Sequence, residues 1–311
     1  MIVLFQVKEQ KDYFEYHQQV IRAEKLICTG NYEDAFLIYE DLFENYDFVF
    51  VHDYQVASQL AIILDEHDRA KELVKKGMLA GWDLKSIKKN DFIRNGFDGS
   101  DWNSLKTDYD LLRKTYEAKF DVDLLNKIKE LFKADQKNAI GALFKFSAEA
   151  QDSYAEKKFA PHSELQMAKL EKIIEEKGYP GEKITGNNYW VSTIISHHNS
   201  ISQKYNKSDE IYPDLKLILL KALGKGEISP AEFAIIDDWY LTTIDQTNRA
   251  FYGILNPPNY SELSATNDLR EKIFLRPVET RNQLIEIEYK TGMNFYLDIS
   301  PWLNGKMEIK E

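Results

Sequence analysis

Apolar residues recur at helical spacing through the first third of the chain and predict two helix pairs between about residues 13 and 80. In the first pair, Ala23 and Ile27 share one face of a helix, and a turn at Gly30 separates them from the next helix. Glycine suits the left-handed end of a helix, and Asn31 can cap the helix that follows. The second pair repeats this order of apolar faces. The chain therefore begins with an α-α repeat.

Small and bulky residues alternate in a fixed order in the first pair, at Ala23, Gly30, Tyr32, Ala35, Tyr39 and Leu42. Ala70 follows Ala35 after 35 residues, and this pattern resembles a tetratricopeptide repeat. The second copy departs from the family, since Asp65 stands at the turn glycine and Gly77 where alanine is usual. The resemblance implies a scaffold that binds a protein or peptide on its inner helices, for instance beside Tyr54 and Gln55.

Two repeats leave an apolar end uncovered, so a further helical segment has to close the stack. The stretch 79–105 resembles the segment that closes many bacterial repeats of this kind. Its aromatic residues Phe92, Phe97 and Trp102 are expected to be packing residues, not the walls of a ligand site. We expect this N-terminal domain to span residues 1–118.

Helical periodicity continues in the second half of the chain. An apolar stripe predicts a helix from residue 122 to about 150. Ser163 and Gln166 have the spacing of a capping box and predict the start of the next helix, which ends at Gly178.

The later helices are marked mainly by their ends. Helices are expected over 190–205 and 215–223, and Ser229, Pro230 and Glu232 match the N-cap, first-turn proline and capping glutamate of another.

Beyond residue 245 the pattern weakens. A last helix is expected over 279–289, while 287–296 also fits a short strand. Because no sustained period-two runs occur elsewhere in this half, the prediction is an all-α fold: a short tetratricopeptide-like repeat packed on or linked to a multi-helix domain over 119–311.

Short motifs punctuate this second half, at Asp135-Gln136, Gly178-Tyr179-Pro180-Gly181, His198, Gly226-Glu227-Ile228, Phe233-Ala234 before Asp238, Tyr252-Gly253 and Arg281. Together they resemble a bacterial helical domain family of unknown function, over roughly residues 121–295. The chain departs from that family at His197, Trp239 and Ile254-Leu255, where glutamine, arginine and polar residues are usual. If the family shares a polar site, the missing arginine puts that site in doubt in this chain.

Charge and cysteine content narrow the range of partners. The net charge of −11 over 311 residues argues against nucleic acid, which needs a basic face, and suits a basic partner. No apolar stretch is long enough to span a bilayer, so no membrane partner is expected. The single cysteine, Cys28, excludes an intrachain disulfide and a cysteine metal site.

The expected location is the cytoplasm. The apolar run over residues 1–5 is too short for the core of a signal peptide. A periplasmic location stays open if a leader has been trimmed from the chain.

Five polar residues are candidates for ligand binding: His198, Asp238, Tyr252, Arg281 and Asp135. His198 and Asp238 lie on otherwise apolar helical stretches, where an unsatisfied polar group costs free energy. The pattern favours a structural pair that fixes the histidine tautomer, and the alternative is a metal or catalytic site within a helical bundle. Neither Glu-x-x-His from paired helices nor His-Glu-x-x-His occurs, so no catalytic residue and no cofactor are assigned.

Two functions follow from these patterns. The first is a non-catalytic interaction protein that binds a protein or peptide, with an acidic balance suited to a basic partner. The second is a metal-binding or hydrolytic domain centred on His198 and Asp238. The sequence favours the first, because repeat scaffolds bind through their surfaces and need no chemical signature.

Overall fold

The structure, a computed structural model, describes residues 12–297, 303 and 305–311. The prediction of an all-α fold is confirmed: across these ranges the chain forms helices and no β-strand, apart from an isolated bridge between Asn259 and Lys310. The apolar run at residues 1–5 lies outside the described residues.

The helices follow one another with short connections. In chain order they are α1 (Tyr13–Cys28), α2 (Tyr32–Asn45), α3 (Val51–Ile63), α4 (His67–Leu79), α5 (Leu84–Lys89), α6 (Asp91–Gly96), α7 (Gly99–Glu117), α8 (Val122–Leu143), α9 (Ala148–Tyr154), a π-helical turn (Ala155–Phe159), α10 (Ala160–Lys177), α11 (Glu182–Thr185), α12 (Trp190–Asn199), α13 (Gln203–Asn206), α14 (Ile211–Gly224), α15 (Pro230–Asp245), α16 (Leu263–Lys272) and α17 (Val278–Thr291).

The two N-terminal helix pairs end their first helices in the same way. Gly30 has φ +80° after α1, and Asp65 adopts φ +63° at the matching position after α3. In both turns the next backbone N–H reaches back five residues, from Asn31 to Leu26 O (3.0 Å) and from Glu66 to Ala61 O (2.8 Å). The turn geometry therefore repeats although the glycine does not.

Asn31 and Gly77 make local contacts that the repeat pattern does not predict. Asn31 occupies the N-cap position of α2, but its side-chain amide donates to Thr29 Oγ1 (3.2 Å), so the predicted side-chain cap is wrong. Gly77 is explained by Trp82, because an added Cβ would lie 2.9 Å from the Trp82 ring. The ring occupies the space that the expected alanine would need.

Helices α5 to α7 close the stack, and α7 packs on α4. Phe97 is buried and meets Trp102 edge-on, with ring centroids 6.0 Å apart. Phe92 packs against the same core, so these aromatic residues are packing residues.

The helix boundaries between residues 122 and 177 differ from the prediction. The first helix ends at Leu143, before 150, and a new helix starts at Ala148 with Ser147 as its cap. From there the chain runs through the π-helical turn directly into α10, so Ser163 lies inside a helix. The predicted capping box at Ser163 and Gln166 is wrong, because both side chains are buried against neighbouring helices.

Ends predicted from glycine and serine agree better with the structure. α10 ends before Gly178, which has φ +84°. Ser229 caps α15 by accepting from the backbone N–H of Glu232 (3.1 Å). The carboxyl of Glu232, expected to complete the cap, instead accepts from Tyr179 Oη (2.8 Å). The helix predicted over 190–205 ends at Asn199, and α13 follows as a separate turn.

The apolar residues form two large clusters, and their membership does not follow the order of the chain. One cluster joins α1 to α7 with Leu284 and Ile285 of α17 and with Met293, Phe295 and Leu297. The other joins α8, α10, α12, α14 and α15 with the segment after α16, and a small third cluster contains Tyr154 and Tyr205 of α9 and α13. The boundary after residue 118 stays a prediction, and the end of the chain packs into the N-terminal cluster.

Residues 293–297, called the strap below, follow α17 along the N-terminal helices. The strap is not part of a β-strand, so the short strand considered for 287–296 is wrong. Its backbone is bonded by side chains: the Gln59 amide donates to Asn294 O (2.7 Å) and accepts from Asn294 N–H (2.8 Å). Alternating apolar residues of the strap enter the core, which explains the strand-like pattern.

Candidate functional site

His198 lies fully buried at the end of α12. Its Nδ1 is 3.0 Å from Ser163 Oγ and its Nε2 is 3.3 Å from Asp209 Oδ2. Both ring nitrogens are therefore occupied, and the acidic partner of His198 is Asp209, not the expected Asp238. Burial tends to raise the pKa of Asp209. The contact with His198 contributes to lowering it, and the net shift is downward.

Asp238 holds a loop in place. Its carboxylate accepts backbone N–H groups of Tyr252 (3.3 Å), Ile254 (3.0 Å) and Leu255 (2.9 Å). Burial raises the pKa of Asp238, and these hydrogen bonds oppose the rise. Tyr252 lies in the same loop, where its hydroxyl donates to the neighbouring Asp237 (2.8 Å).

The other two candidates lie in different places. Asp135 on α8 is fully buried and is 2.6 Å from Nδ1 of His197, whose side chain is 32% exposed. Arg281 on α17 is buried and donates through Nη1 to Gly305 O (2.6 Å). Asp238 and Tyr252 therefore share one contact, whereas His198, Asp135 and Arg281 each belong to another, and the five residues are not brought into one cleft.

Metal binding receives no geometric support in the part of the chain that the structure describes. Within it, no group of three or more His, Cys, Asp and Glu side chains is placed to hold an ion. No helix among the described residues is long and apolar enough to cross a membrane.

A cavity of about 400 Å³ lies where α1 and α3 meet α11 and the start of α15. Its floor is formed by residues of α1 and α3, including the predicted groove residue Gln55. The opposite wall comes from Glu182, the loop before α12, the first turn of α15, the segment after α16 and the strap. Tyr54 instead stacks on Phe43 with ring centroids 4.6 Å apart.

Glu182 reaches across this junction and caps α3. Phe50, at the N-cap position of α3, has no side-chain acceptor, and the Val51 N–H donates to Glu182 Oε1 (2.6 Å). Burial raises the pKa of Glu182 to about 8, and repulsion from Asp53 and Glu232 adds to the rise. The residue keeps some accessible surface because it borders the cavity.

Glu232 and Asp53 line the cavity as well, together with Glu24 of α1. Burial raises the pKa of Glu232 to about 7, although hydroxyl groups of Tyr179 and Ser192 bond to it. Asp53 accepts from Tyr16 Oη, and its Oδ1 is 3.2 Å from His52 Nδ1. Three acidic side chains from α3, α11 and α15 therefore face one space.

The basic side chain of the cavity is already paired. Arg276 contacts Glu24 Oε1 through Nη2 (2.5 Å) and through Nε (2.8 Å). Within the described ranges, Glu24 Oε2 and His17 Nε2 are buried without a hydrogen-bond partner, and both residues line the cavity. Burial lowers the pKa of His17 to about 4, so its ring is neutral near pH 7.

Two aromatic residues of the cavity have an unusual backbone. Phe274 has φ +58° and Tyr296 has φ +51°, in the left-handed region that bulky residues rarely adopt. Each costs about 1–2 kcal/mol, so surrounding contacts must hold it. Phe274 stacks on Phe14 with ring centroids 4.9 Å apart, and Tyr296 accepts from the Asn90 amide (2.9 Å). Such strain is concentrated at functional sites in many proteins.

Sequence reasoning missed this cavity, although a signal was present. On α1, His17 and Glu24 fall seven residues apart on the apolar stripe, and both are buried. On α3, Asp53 and Gln59 interrupt an apolar helix in the same way. Polar residues on an apolar helix face singled out His198 and Asp238, and the same pattern in α1 and α3 indicates buried polar groups there too.

Comparison of the chain with protein-family models, curated proteins and solved structures gives no match. The resemblance of the first half to tetratricopeptide repeats and of the second half to a bacterial helical family therefore stay predictions.

Proposed function

We propose that this chain is a non-catalytic interaction protein that binds a peptide or an extended segment of a protein partner. The observation that carries the proposal is the recognition of the strap by the N-terminal helices. The Gln59 amide bonds both the N–H and the carbonyl of Asn294. Bonds of this kind are made to the backbone and do not depend on the side chain of the bound residue.

A second contact has the same character. His52 Nε2 is 2.9 Å from Phe295 O, and because a carbonyl only accepts, Nε2 is the donating nitrogen. Helix α3, the first helix of the second pair, thus offers two side chains that bind extended backbone, and main-chain hydrogen bonds of this kind are a common means of recognising a peptide. The strap covers part of this surface, and the cavity beside it leaves room for a partner's side chain.

The acidic balance of the chain favours a basic partner. A bacterial origin and a cytoplasmic location, or a periplasmic one if a leader has been removed, belong to the same proposal.

Selection from a random-peptide display library tests the proposal. We expect the full chain to enrich a related set of peptides, and Ala231→Phe, which places a ring in the cavity wall, to lose them. Ala118→Phe is the matched control, since Ala118 is exposed at the C-cap of α7. Failure to enrich any related set, or equal enrichment by folded Ala231→Phe, would contradict the proposal.

A hydrolytic enzyme is the second candidate, and one observation favours it at the cavity in place of His198 and Asp238. Glu182 and Glu232 have pKa values of about 8 and 7, which suit a general acid or base near neutral pH. A panel of chromogenic esters and glycosides tests this. Turnover that disappears in Glu182→Gln would support the enzyme over the interaction protein.

A further inference from the structure

We propose that the cavity binds an organic cation, an ammonium or guanidinium group held among the carboxyl groups of Asp53, Glu182 and Glu232. The cation is carried either by a basic side chain of a peptide partner or by a free amine. The first source rests on the proposed function, whereas the second does not depend on it.

Among the described residues, the three carboxyl groups lack a lysine or arginine partner. In the described ranges, no lysine or arginine lies within ion-pair distance of any of them, and Asp53 is paired only with His52. Arg276 is bound by Glu24. A buried carboxylate without a cation is costly, so a bound cation would relieve the repulsion among the three groups.

The unpaired polar atoms also require a donor. Glu24 Oε2 can only accept when ionised. His17 Nε2 is also buried without a partner in the described part of the chain, and its ring, which is neutral near pH 7, carries one accepting nitrogen. Ammonium and guanidinium groups donate several N–H groups and accept none, which matches both atoms.

The charge of the cavity disfavours an anionic ligand. An anion would meet Asp53, Glu182 and Glu232, and none of the lysine or arginine side chains in the described ranges is free within ion-pair distance of these groups, since Arg276 is bound by Glu24. The aromatic residues Phe50, Phe274 and Tyr296 on the walls add favourable contacts for a cation over a ring face. The volume of about 400 Å³ falls in the range of small-ligand sites.

The geometry also suits a side chain that enters from a bound peptide. Asn294 and Tyr296 of the strap form part of the cavity wall, so the backbone-binding surface and the cavity are adjacent. A basic residue of a peptide next to the strap would reach the carboxyl groups directly.

Isothermal titration calorimetry on the full chain tests the proposal with agmatine, spermidine and a blocked Ala-Arg-Ala peptide, with inorganic phosphate as the anion. We expect at least one cation to bind and phosphate not to bind. Glu182→Gln and Asp53→Asn should each weaken the cation by about tenfold, as expected for one charged contact. Glu175→Gln, at an exposed position of α10, should leave the affinity unchanged.

The variants are chosen so that folding does not decide the result. Gln at 182 can still accept the Val51 N–H, and Asn at 53 can still accept from Tyr16, so both should keep the wild-type circular dichroism spectrum. Absence of binding by all three cations, or equal affinity in both folded variants, would overturn the proposal.

Together, the calorimetry and the peptide selection identify the source of the cation. They also distinguish failure of the cation site from failure of the interaction function. Tighter binding of the peptide than of the free amines supports a basic partner. Amine binding without any selected peptide supports the cation site and overturns the interaction function. Selected peptides that bind equally to wild type and Glu182→Gln, with no amine bound, overturn the cation site alone.

Discussion

Asp237 and Asp238 in the C-terminal core and Glu182 and Glu232 at the cavity are all shielded by protein, yet their partners differ. Asp237 accepts from Tyr212 (2.9 Å), Tyr252 (2.8 Å) and Lys216 (2.8 Å). Asp238 accepts three backbone N–H groups. Glu182 has one backbone donor, and Glu232 has hydroxyl donors alone.

The number and kind of donors distinguish a carboxylate with a structural role from one at a binding site. Donors that come from the protein hold the core carboxylates in one arrangement and leave little for a ligand to contribute. The cavity carboxyl groups repel one another and border space, so a ligand can improve their surroundings. Burial of a polar residue therefore does not mark a site; incomplete pairing beside a cavity does.

Replacing Asp238 by alanine should have the largest effect on stability. Three backbone N–H groups would be left buried without an acceptor, and we expect a loss of about 3–5 kcal/mol in the free energy of unfolding. Urea denaturation followed by circular dichroism measures it. Asp110→Ala at an exposed position of α7 is the control, and a loss for Asp238→Ala no greater than the control's would break the comparison.

Replacing Glu182 by glutamine should change the pH dependence of stability. The folded pKa of about 8 lies above the usual value of 4.5, so the unfolded chain ionises first as pH rises. Wild type is therefore fully stabilised below pH 4.5 and loses this contribution as pH rises towards 8.

Glutamine does not titrate, so the free energy of unfolding of Glu182→Gln should rise by about 2–4 kcal/mol relative to wild type across that pH range. Urea titrations at pH 5, 6.5 and 8 give the difference, with Glu175→Gln expected to stay flat. A constant difference at all three pH values would show that Glu182 is ordinary.

Replacing Ser163 by alanine tests the structural nature of His198. His198 Nδ1 would lose its partner at 3.0 Å while staying buried, and we expect a loss of about 1–2 kcal/mol. Ser104→Ala, on α7, is the control for loss of a hydroxyl at a part-buried contact with Lys75. Unchanged stability together with loss of peptide or amine binding would move His198 from structure to function.

The sequence predicted what depends on neighbours along the chain. Helical spacing placed α1 to α4, and the Ser229 cap and Gly178 end were right because their hydrogen bonds are local. Ser163 was assigned wrongly for the same reason: its spacing to Gln166 fits a cap, but its actual partner is His198 on another helix.

The candidate site was less accessible to such reasoning. Glu182 lies 131 residues from Val51, whose N–H it accepts, and a single sequence gives no signal for that contact. Buried polar residues could be found by their place on apolar faces, but whether they were satisfied depends on which elements pack together. The cavity exists only through that packing.

The smallest expected effect is that of Tyr179→Phe, which is compared with Tyr212→Phe as its matched partner. Tyr212 donates to Asp237 (2.9 Å) and Tyr179 donates to Glu232 (2.8 Å), and both hydroxyls are buried. Tyr212→Phe takes a donor from a carboxylate that is also paired with Lys216, at a cost of about 1.5–3 kcal/mol for a charged hydrogen bond. Tyr179→Phe should cost only about 0.5–1.5 kcal/mol at pH 6, because Glu232, with a pKa of about 7, can stay protonated.

The pair is measured by urea denaturation at pH 6 and again at pH 8. Raising the pH ionises Glu232, which then can no longer stay neutral when it loses its donor. The cost of Tyr179→Phe should therefore grow towards that of Tyr212→Phe. The cost of Tyr212→Phe itself should change little. Equal costs at both pH values would mean that the two carboxyl groups have the same surroundings, and the distinction between a satisfied core and an unsatisfied cavity would fail.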